Sequence, residues 1–217
     1  SPVDKIRTLE LMKLADWLIV TGSQSNVRAA YSSGTPAIGV GAGNVTVIVD
    51  ETADLDAAAF KIMKSKTFDH ATSCSSENAL VVVDEIYDIF LEKLFDCGGR
   101  LLDEQEKQTL QDSLWVNGKL NRQMLARDAE ILCQMADLKR NDSTETKFLM
   151  VEESGIGPDY PFSGEKLSPV LSVYRASDFD DAQQTALNIL NHQGKGHSIG
   201  LHSSLEERVL KLGLELP

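Results

Sequence analysis

One cysteine stands among hydroxyl and amide side chains in the stretch Asp69-His70-Ala71-Thr72-Ser73-Cys74-Ser75-Ser76-Glu77-Asn78. Such a thiol has two readings. Held in a polar loop, it sits where chemistry is usually placed. As a small packing residue it does nothing, which is the commoner fate of unpaired cysteines. The five flanking hydroxyl and amide groups are not a greasy setting, and they raise the first reading.

Two rigid elements must hold this stretch. Leu55, Ala58, Ala59, Ile62 and Met63 recur at helical spacing and predict a helix before it, capped from the turn Asp50 to Asp54. Ala79-Leu80-Val81-Val82-Val83 is an apolar, β-branched run and predicts a buried strand after it. A loop strung between rigid elements is where chemistry is usually placed.

A second polar turn, Thr21-Gly22-Ser23-Gln24-Ser25, follows a strand pattern at Trp17 to Val20 and precedes a short helix through Val27, Ala29, Ala30 and Tyr31. The turn points backbone N–H groups from a helix start, which suits a phosphate or a nicotinamide ribose. An ordinary strand-to-helix connection has the same signature. Ala37 to Asn44 then carries Gly39, Gly41 and Gly43 at alternate positions. That pattern fits a cofactor wall or a bulged strand packed on a helix.

The remaining patterns alternate between strands and helices. A helix runs from Ser1-Pro2 to about Leu14, and a strand covers Val45 to Val49. Tyr87, Phe90, Leu91, Leu94 and Phe95 mark a helix. Asp103 with Glu106 makes a capping box for another ending near Leu114, and Asn117-Gly118 is a turn. Leu125, Ala129, Leu132 and Ala136 mark a further helix, followed by a polar loop from Lys139 to Thr146 and a strand from Phe148 to Val151. A long loop, Glu153 to Leu167, leads to a strand at Pro169 to Tyr174. Phe179 to Leu190 is helical, His197 to Leu201 opens a strand, and Ser204 with Glu207 caps a last helix closed by Gly213 before the chain stops at Leu216-Pro217. Such alternation implies an α/β fold with a largely parallel sheet.

The 217 residues carry a net charge of −12, from 21 basic and 33 acidic residues. That balance argues against nucleic acid or an anionic membrane as partner. No apolar run reaches the roughly 18 residues of a membrane span, and no leader peptide opens the sequence. Cys74, Cys97 and Cys133 are odd in number and widely spaced, which suggests neither a disulfide framework nor a metal site and fits a reducing cytoplasm. Cys97 and Cys133 read as packing residues.

Four runs, in order along the whole chain, resemble the CoA-acylating branch of the aldehyde dehydrogenases. They are Ala29-Ala30-Tyr31-Ser32-Ser33-Gly34 leading to Gly39-Val40-Gly41-Ala42-Gly43-Asn44, the cysteine stretch, Glu165-Lys166-Leu167-Ser168-Pro169, and Gly196-His197. The resemblance implies an oxidoreductase that joins a small aldehyde to coenzyme A with NAD or NADP as hydride acceptor. It implies that Cys74 is the nucleophile, its own N–H one oxyanion donor. Thr21, Gly22, Ser23, Gly39, Val40 and Gly41 then border the dinucleotide, and Glu165 meets the nicotinamide-side ribose. His197 is similar to a histidine beside the reactive cysteine, with a proton-transfer or CoA-stage role; a satisfied histidine at a strand start is the alternative. His70, His192 and His202 have no counterpart, and no metal is implied.

Two departures from the wider family matter. Hydrolytic members carry a water-activating glutamate in a Leu-Glu-Leu-Gly-Gly stretch. Here the aligned residues are Ile38-Gly39-Val40-Gly41-Ala42, so Gly39 stands where that carboxylate would be. Without the base, a thiol acceptor is favoured over water. The family's N-terminal region and its C-terminal strands and oligomerisation element are also absent. The expectation is therefore residues 1–48 as the end of a Rossmann-like dinucleotide-binding domain and 49–217 as a catalytic domain truncated at its C-terminus. The same reading expects the isolated fragment to be inactive and the parent protein to be a homo-oligomer. The alternatives are a hydrolytic enzyme, the aldehyde module of a fused aldehyde–alcohol dehydrogenase, and a non-catalytic assembly domain. Among substrates, sulfoacetaldehyde comes first, then succinate semialdehyde or acetaldehyde, on the wording of the cysteine stretch and of Gly157-Pro158-Asp159-Tyr160.

Overall fold

The computed structural model describes residues 4–138 and 145–215. Two compact units divide the chain, Ser1–Gly43 and Asn44–Pro217. The second begins one strand earlier than a boundary at residue 48 would place it. The reason is that Val45–Val49 is hydrogen-bonded on both sides into the larger sheet.

In the first unit, α1 (Lys5–Leu14) starts at Asp4, whose carboxylate accepts the N–H groups of Ile6 and Arg7. Ser1 and Pro2, the expected start of this helix, lie outside the described residues. β1 (Leu18–Thr21) and β2 (Ala37–Val40) pair in parallel, with α2 (Gln24–Tyr31) between them in sequence. Ser23 caps α2 through its hydroxyl, which accepts the Asn26 N–H.

The second unit is built on six parallel strands: β3 (Val45–Val49), β4 (Glu77–Val83), β5 (Gly99–Leu101), β8 (Phe148–Glu152), β9 (Val170–Ala176) and β10 (Ile199–His202). Their order across the sheet is β10-β3-β4-β9-β8-β5. Every residue of β3 is buried, as a strand covered on both faces requires. On β8, Phe148 and Met150 enter the larger core, with α3 (Leu55–Thr67), α4 (Asp84–Asp96) and α7 (Phe179–His192). Leu149 and Val151 point the other way. They join a smaller core with Leu110 and Leu114 of α5 (Glu104–Leu114) and Leu132 of α6 (Ala129–Met135). The last helix is α8 (Glu206–Glu215).

The expected face of α3 is the buried one: Ala58, Ala59 and Ile62 are buried, with Leu55 and Met63 packed against them. The capping box of Asp103 and Glu106 is present at the start of α5. Several details differ from expectation. Asn117 and Gly118, with φ of 52° and 70°, make the expected turn, but it joins two unexpected strands, β6 (Trp115–Val116) and β7 (Lys119–Leu120), in an antiparallel hairpin too brief to leave an alternating pattern. β5 is only three residues long and likewise unsignalled. Leu125 precedes α6 by four positions, and Gly213 lies inside α8 instead of ending it. The polar segment 139–144 and the end at Leu216-Pro217 lie outside the described residues.

Candidate active site at the amino-terminal edge of the sheet

Four neighbouring strands, β10, β3, β4 and β9, run parallel and so begin at one edge. Asn44 directly precedes β3. Ser76 precedes β4, Pro169 precedes β9, and His197 lies two residues before β10. The chemistry-bearing loops therefore meet because of strand order. Open α/β sheets usually bind ligands at the opposite, carboxyl-terminal ends of their strands.

The cysteine turn is short and locally braced. α3 ends in a 3₁₀ turn, Phe68–Ala71, in which Asp69, His70 and Ala71 all adopt left-handed backbone, with φ of 48°, 52° and 59°. Such conformations each cost about 1 kcal/mol outside glycine. Burial of Ala71 and the Thr72 hydroxyl, which donates to the Asp69 backbone and carboxylate, hold them in place. The Ser76 N–H then donates to the Ser73 carbonyl at 2.9 Å, closing a turn with Cys74 as its second residue. The Ser73 and Ser75 hydroxyls bond across it at 2.9 Å. Cys74 is the exposed one of the three cysteines. Among the described residues its N–H meets no acceptor, so that donor is available to an oxyanion. Cys97 is half-buried and Cys133 buried, and burial raises both thiols above their ordinary pKa.

Three amide side chains tie the loops together. Asn78 donates to the Ser76 carbonyl and accepts the Lys166 N–H at 3.1 Å, which joins the cysteine turn to the Glu165 segment. Gln193 Oε1 accepts the Glu165 N–H at 3.2 Å. A Cβ at Gly164 would lie 2.6 Å from that same oxygen, so a side chain there would displace the Gln193 amide. Asn44 Nδ2 donates to the carbonyls of Ser163 and Gln193, and the His197 N–H donates to the Gly194 carbonyl. A continuous network therefore links the segments bearing Cys74, Glu165 and His197. His197 Nδ1 is buried and has no hydrogen-bond partner among the described residues.

Beneath this network lie two lysines with no solvent exposure. Lys166 Nζ donates to the carbonyls of Phe162 and Gly164 and to the Ser172 hydroxyl, one acceptor for each hydrogen of an ammonium group. Burial and then the neighbouring Lys66 charge hold its pKa well below the ordinary lysine value. Lys66, near the end of α3, donates to the Glu77 carbonyl at 2.7 Å. Burial lowers its pKa to about 7, against the opposing pull of Glu77 and Glu165.

Neither lysine was singled out from sequence, because lysine reads as a surface residue. Asn44 and Asn78 were legible only as polar residues beside apolar strand patterns, and Gln193 only as a polar residue ending a helix pattern.

Thr21, Gly22, Ser23, Gly39, Val40 and Gly41 lie together in the first unit, around β1, β2 and the start of α2. A Cβ at Gly39 would sit 2.6 Å from Val27 Cγ1 and 3.1 Å from the Tyr31 ring. A side chain at this position would therefore require Val27 to move. Of the other histidines, His70 Nδ1 lies 3.0 Å from the Asp128 carboxylate, and burial lowers the pKa of His202. Among the described residues no acidic, cysteine and histidine cluster has metal-binding geometry, and no helix is long and apolar enough to cross a membrane.

Residues 13–108 match the model of the aldehyde dehydrogenase family. The sulfoacetaldehyde dehydrogenase (acylating) of Cupriavidus necator is 52% identical over 217 residues, which is 100% of this chain and 44% of the relative. The chain thus spans about half the length of the curated relatives it matches. Among solved structures, an acetylating aldehyde dehydrogenase from Geobacillus thermoglucosidasius superposes with a TM-score of 0.94 at 38% identity, covering 99% of this chain and 47% of that one. A propionaldehyde dehydrogenase from Rhodopseudomonas palustris, solved with bound CoA and an acylated cysteine, gives a TM-score of 0.83 at 25% identity over 97% of this chain and 48% of that one. The resemblance to CoA-acylating aldehyde dehydrogenases holds in both sequence and fold.

Proposed function

We propose that the protein containing this chain converts a small aldehyde to its acyl-CoA ester: RCHO + CoA + NAD(P)+ gives acyl-CoA + NAD(P)H + H+. The observation that carries this reading is the exposed Cys74 on a turn with a free N–H, tied to the Glu165 and His197 loops at one sheet edge. The Cys74 thiolate adds to the aldehyde carbon. A C–S bond forms, and the carbonyl oxygen becomes an oxyanion held by the Cys74 N–H. When bound, a nicotinamide cofactor accepts the hydride whose loss turns this thiohemiacetal into a thioester. The CoA thiolate then attacks the thioester carbon, the bond to Cys74 breaks, and the Cys74 thiolate is restored.

The residues fit such a cofactor. Glu165 offers a carboxylate acceptor for a ribose hydroxyl. The turn Thr21-Gly22-Ser23 opens a capped helix whose first N–H groups suit a phosphate; Gly39 and Val40 end the strand paired with β1, and Gly41 follows them. His197, with its buried unpaired Nδ1, moves a proton at the thiohemiacetal or CoA stage. Gly39 argues against hydrolysis, since no carboxylate is there to activate water. Sulfoacetaldehyde is the first substrate to test, supported by the 52% identical relative of that name and by the hydroxyls around Cys74 that suit an anionic group. A homo-oligomeric, cytoplasmic parent protein completes the reading.

The test uses the full-length protein with sulfoacetaldehyde, succinate semialdehyde and acetaldehyde, with NAD+ or NADP+, and with or without CoA. CoA-dependent formation of reduced cofactor and of an acyl-CoA detected by mass spectrometry is expected. Free acid formed at the full rate without CoA, or full turnover by C74S, overturns the reading.

A further inference from the structure

The residue that ends α7 also reaches the Glu165 loop. Gln193 is the C-cap of that helix, in extended backbone, and its amide oxygen accepts the Glu165 N–H at 3.2 Å. Only the oxygen of an amide can meet an N–H, so the side chain has one orientation. The groups on either side are held as well: the Gly164 carbonyl by Lys166 Nζ at 3.0 Å, and the Lys166 N–H by Asn78 Oδ1 at 3.1 Å. Lys166 belongs to the loop itself and Asn78 to β4, while Gln193 ties the loop to α7. One residue further on, the Gly194 carbonyl accepts the His197 N–H at 2.9 Å. Adjacent residues of one turn therefore hold both Glu165 and His197. Gln193 is half-buried, and Gly164, Glu165 and Gln193 line one cavity with Trp115 and His192. Water can replace a part-buried acceptor, so the amide adds little to stability. What it adds is direction, because it fixes the backbone that carries the Glu165 carboxylate.

Resting on the reading of Glu165 as the ribose-binding carboxylate, we propose that Gln193 is a positioning residue that sets the aim of Glu165 through the hydrogen bond to its N–H. It acts through Glu165 and takes no part in bond making. Gly164 belongs to the same device. Its backbone, at φ −97° and ψ −179°, is one that alanine adopts without strain. A Cβ there would lie 2.6 Å from Gln193 Oε1, while the nearest atom outside Gln193 is the Pro161 carbonyl oxygen at 3.6 Å, an ordinary contact. G164A therefore displaces the amide and disturbs nothing else. The contact can thus be broken from either side, by removing the amide or by pushing it away.

The test measures NAD+ and NADP+ affinity by calorimetry, and kcat at saturating cofactor, in the full-length protein as wild type, Q193A, G164A, the double variant and E165Q. Q193A and G164A should each weaken cofactor binding by about tenfold, the scale of one misplaced hydrogen bond to a charged group. Over the same variants kcat should change by less than about twofold. The double variant should bind no more weakly than Q193A, because removing the amide leaves room for the added methyl, and such non-additivity marks one shared contact. A folded Q193A that binds as wild type does overturns the proposal. So does a double variant in which the two losses multiply. A fall in kcat that matches the loss of affinity and comes with a lowered unfolding temperature marks a residue that only holds the loop together, and it overturns the proposal too. If Q193A does not fold, G164A decides alone, and wild-type affinity there is the overturning result. These failures are distinguishable from failure of the underlying reading. If E165Q binds the cofactor as wild type does, the reading of Glu165 falls. If E165Q weakens binding while Q193A and G164A do not, only the role of Gln193 falls.

Discussion

The Asn78 side chain bridges the cysteine turn and the Lys166 segment, yet the two are built in opposite ways. The turn is solvent-facing and braced by groups at most three residues away: Thr72 on Asp69, Ser73 on Ser75, Ser76 on Ser73. The Lys166 segment is buried and braced from afar, by Asn78 across 88 residues and Gln193 across 28 from Glu165. Local hydroxyl bonds stiffen the turn while leaving the Cys74 sulfur in water. Buried long-range bonds decide where in the fold that turn sits. Under the function proposed above, catalysis falls to the exposed side and stability to the buried side, and mutations can break that division.

The largest effect belongs to the sulfur. C74S in the full-length protein should lower the rate of acyl-CoA formation by on the order of 10³-fold or more, because a covalent step loses its nucleophile. Thermal unfolding should be nearly unchanged, since Cys74 is exposed and makes no packing contact that a serine cannot. C133A should do the reverse, with activity retained and some stability lost from the smaller core. Next comes K166A, which empties a fully buried site and strands the Gly164 carbonyl, while the Phe162 carbonyl keeps the Ser172 hydroxyl as donor. A loss of about 4 kcal/mol is expected from the cavity and the unpaired acceptor together. Urea unfolding measures it, and a loss below 1 kcal/mol would mean that the buried side does not carry the stability assigned to it.

The same contrast explains what the sequence revealed. The cysteine turn was legible because its stabilising partners are its neighbours, so a hydroxyl-rich stretch between a helix pattern and a strand pattern already describes it. The helix faces at Ala58, Ala59 and Ile62 and the capping box at Asp103 were legible for the same local reason. The Lys166 side was hidden. Nothing in a sequence of this kind says that Lys66 and Lys166 turn inward, because that depends on which strand lies beside which. The order β10-β3-β4-β9 gathers Asn44, Ser76, Pro169 and His197 at one edge, and no periodicity encodes strand order. The motif resemblance carried Glu165 and His197, where residue patterns alone left them as ordinary loop residues. Short elements such as β5 and the Asn117-Gly118 hairpin escaped because two or three residues cannot show a period.

Asn78 sharpens the comparison further, since it belongs to both sides. N78A removes two buried hydrogen bonds and should cost about 2 kcal/mol of stability. Unlike K166A it should also lower kcat, by about tenfold, because the turn loses its tether while Cys74 itself is untouched. An N78A protein that is destabilised yet fully active would separate the two sides completely and remove the bridging role.

The smallest effect is expected where the brace is most local. In S75A the Ser73 hydroxyl loses its partner across the turn, but both groups are solvent-accessible, so water replaces the bond. Stability should change by no more than about 0.5 kcal/mol, the usual range for a surface substitution. The turn is still closed by the Ser76 N–H to the Ser73 carbonyl and still anchored by Ala71 and Thr72. Turnover with an uncharged aldehyde should therefore stay near wild type. The informative measurement is KM for sulfoacetaldehyde against KM for acetaldehyde. If the hydroxyls serve the anionic group of a substrate, S75A raises the first and leaves the second alone. If both stay fixed, the hydroxyls only brace the turn, and the exposed side selects its substrate by other means.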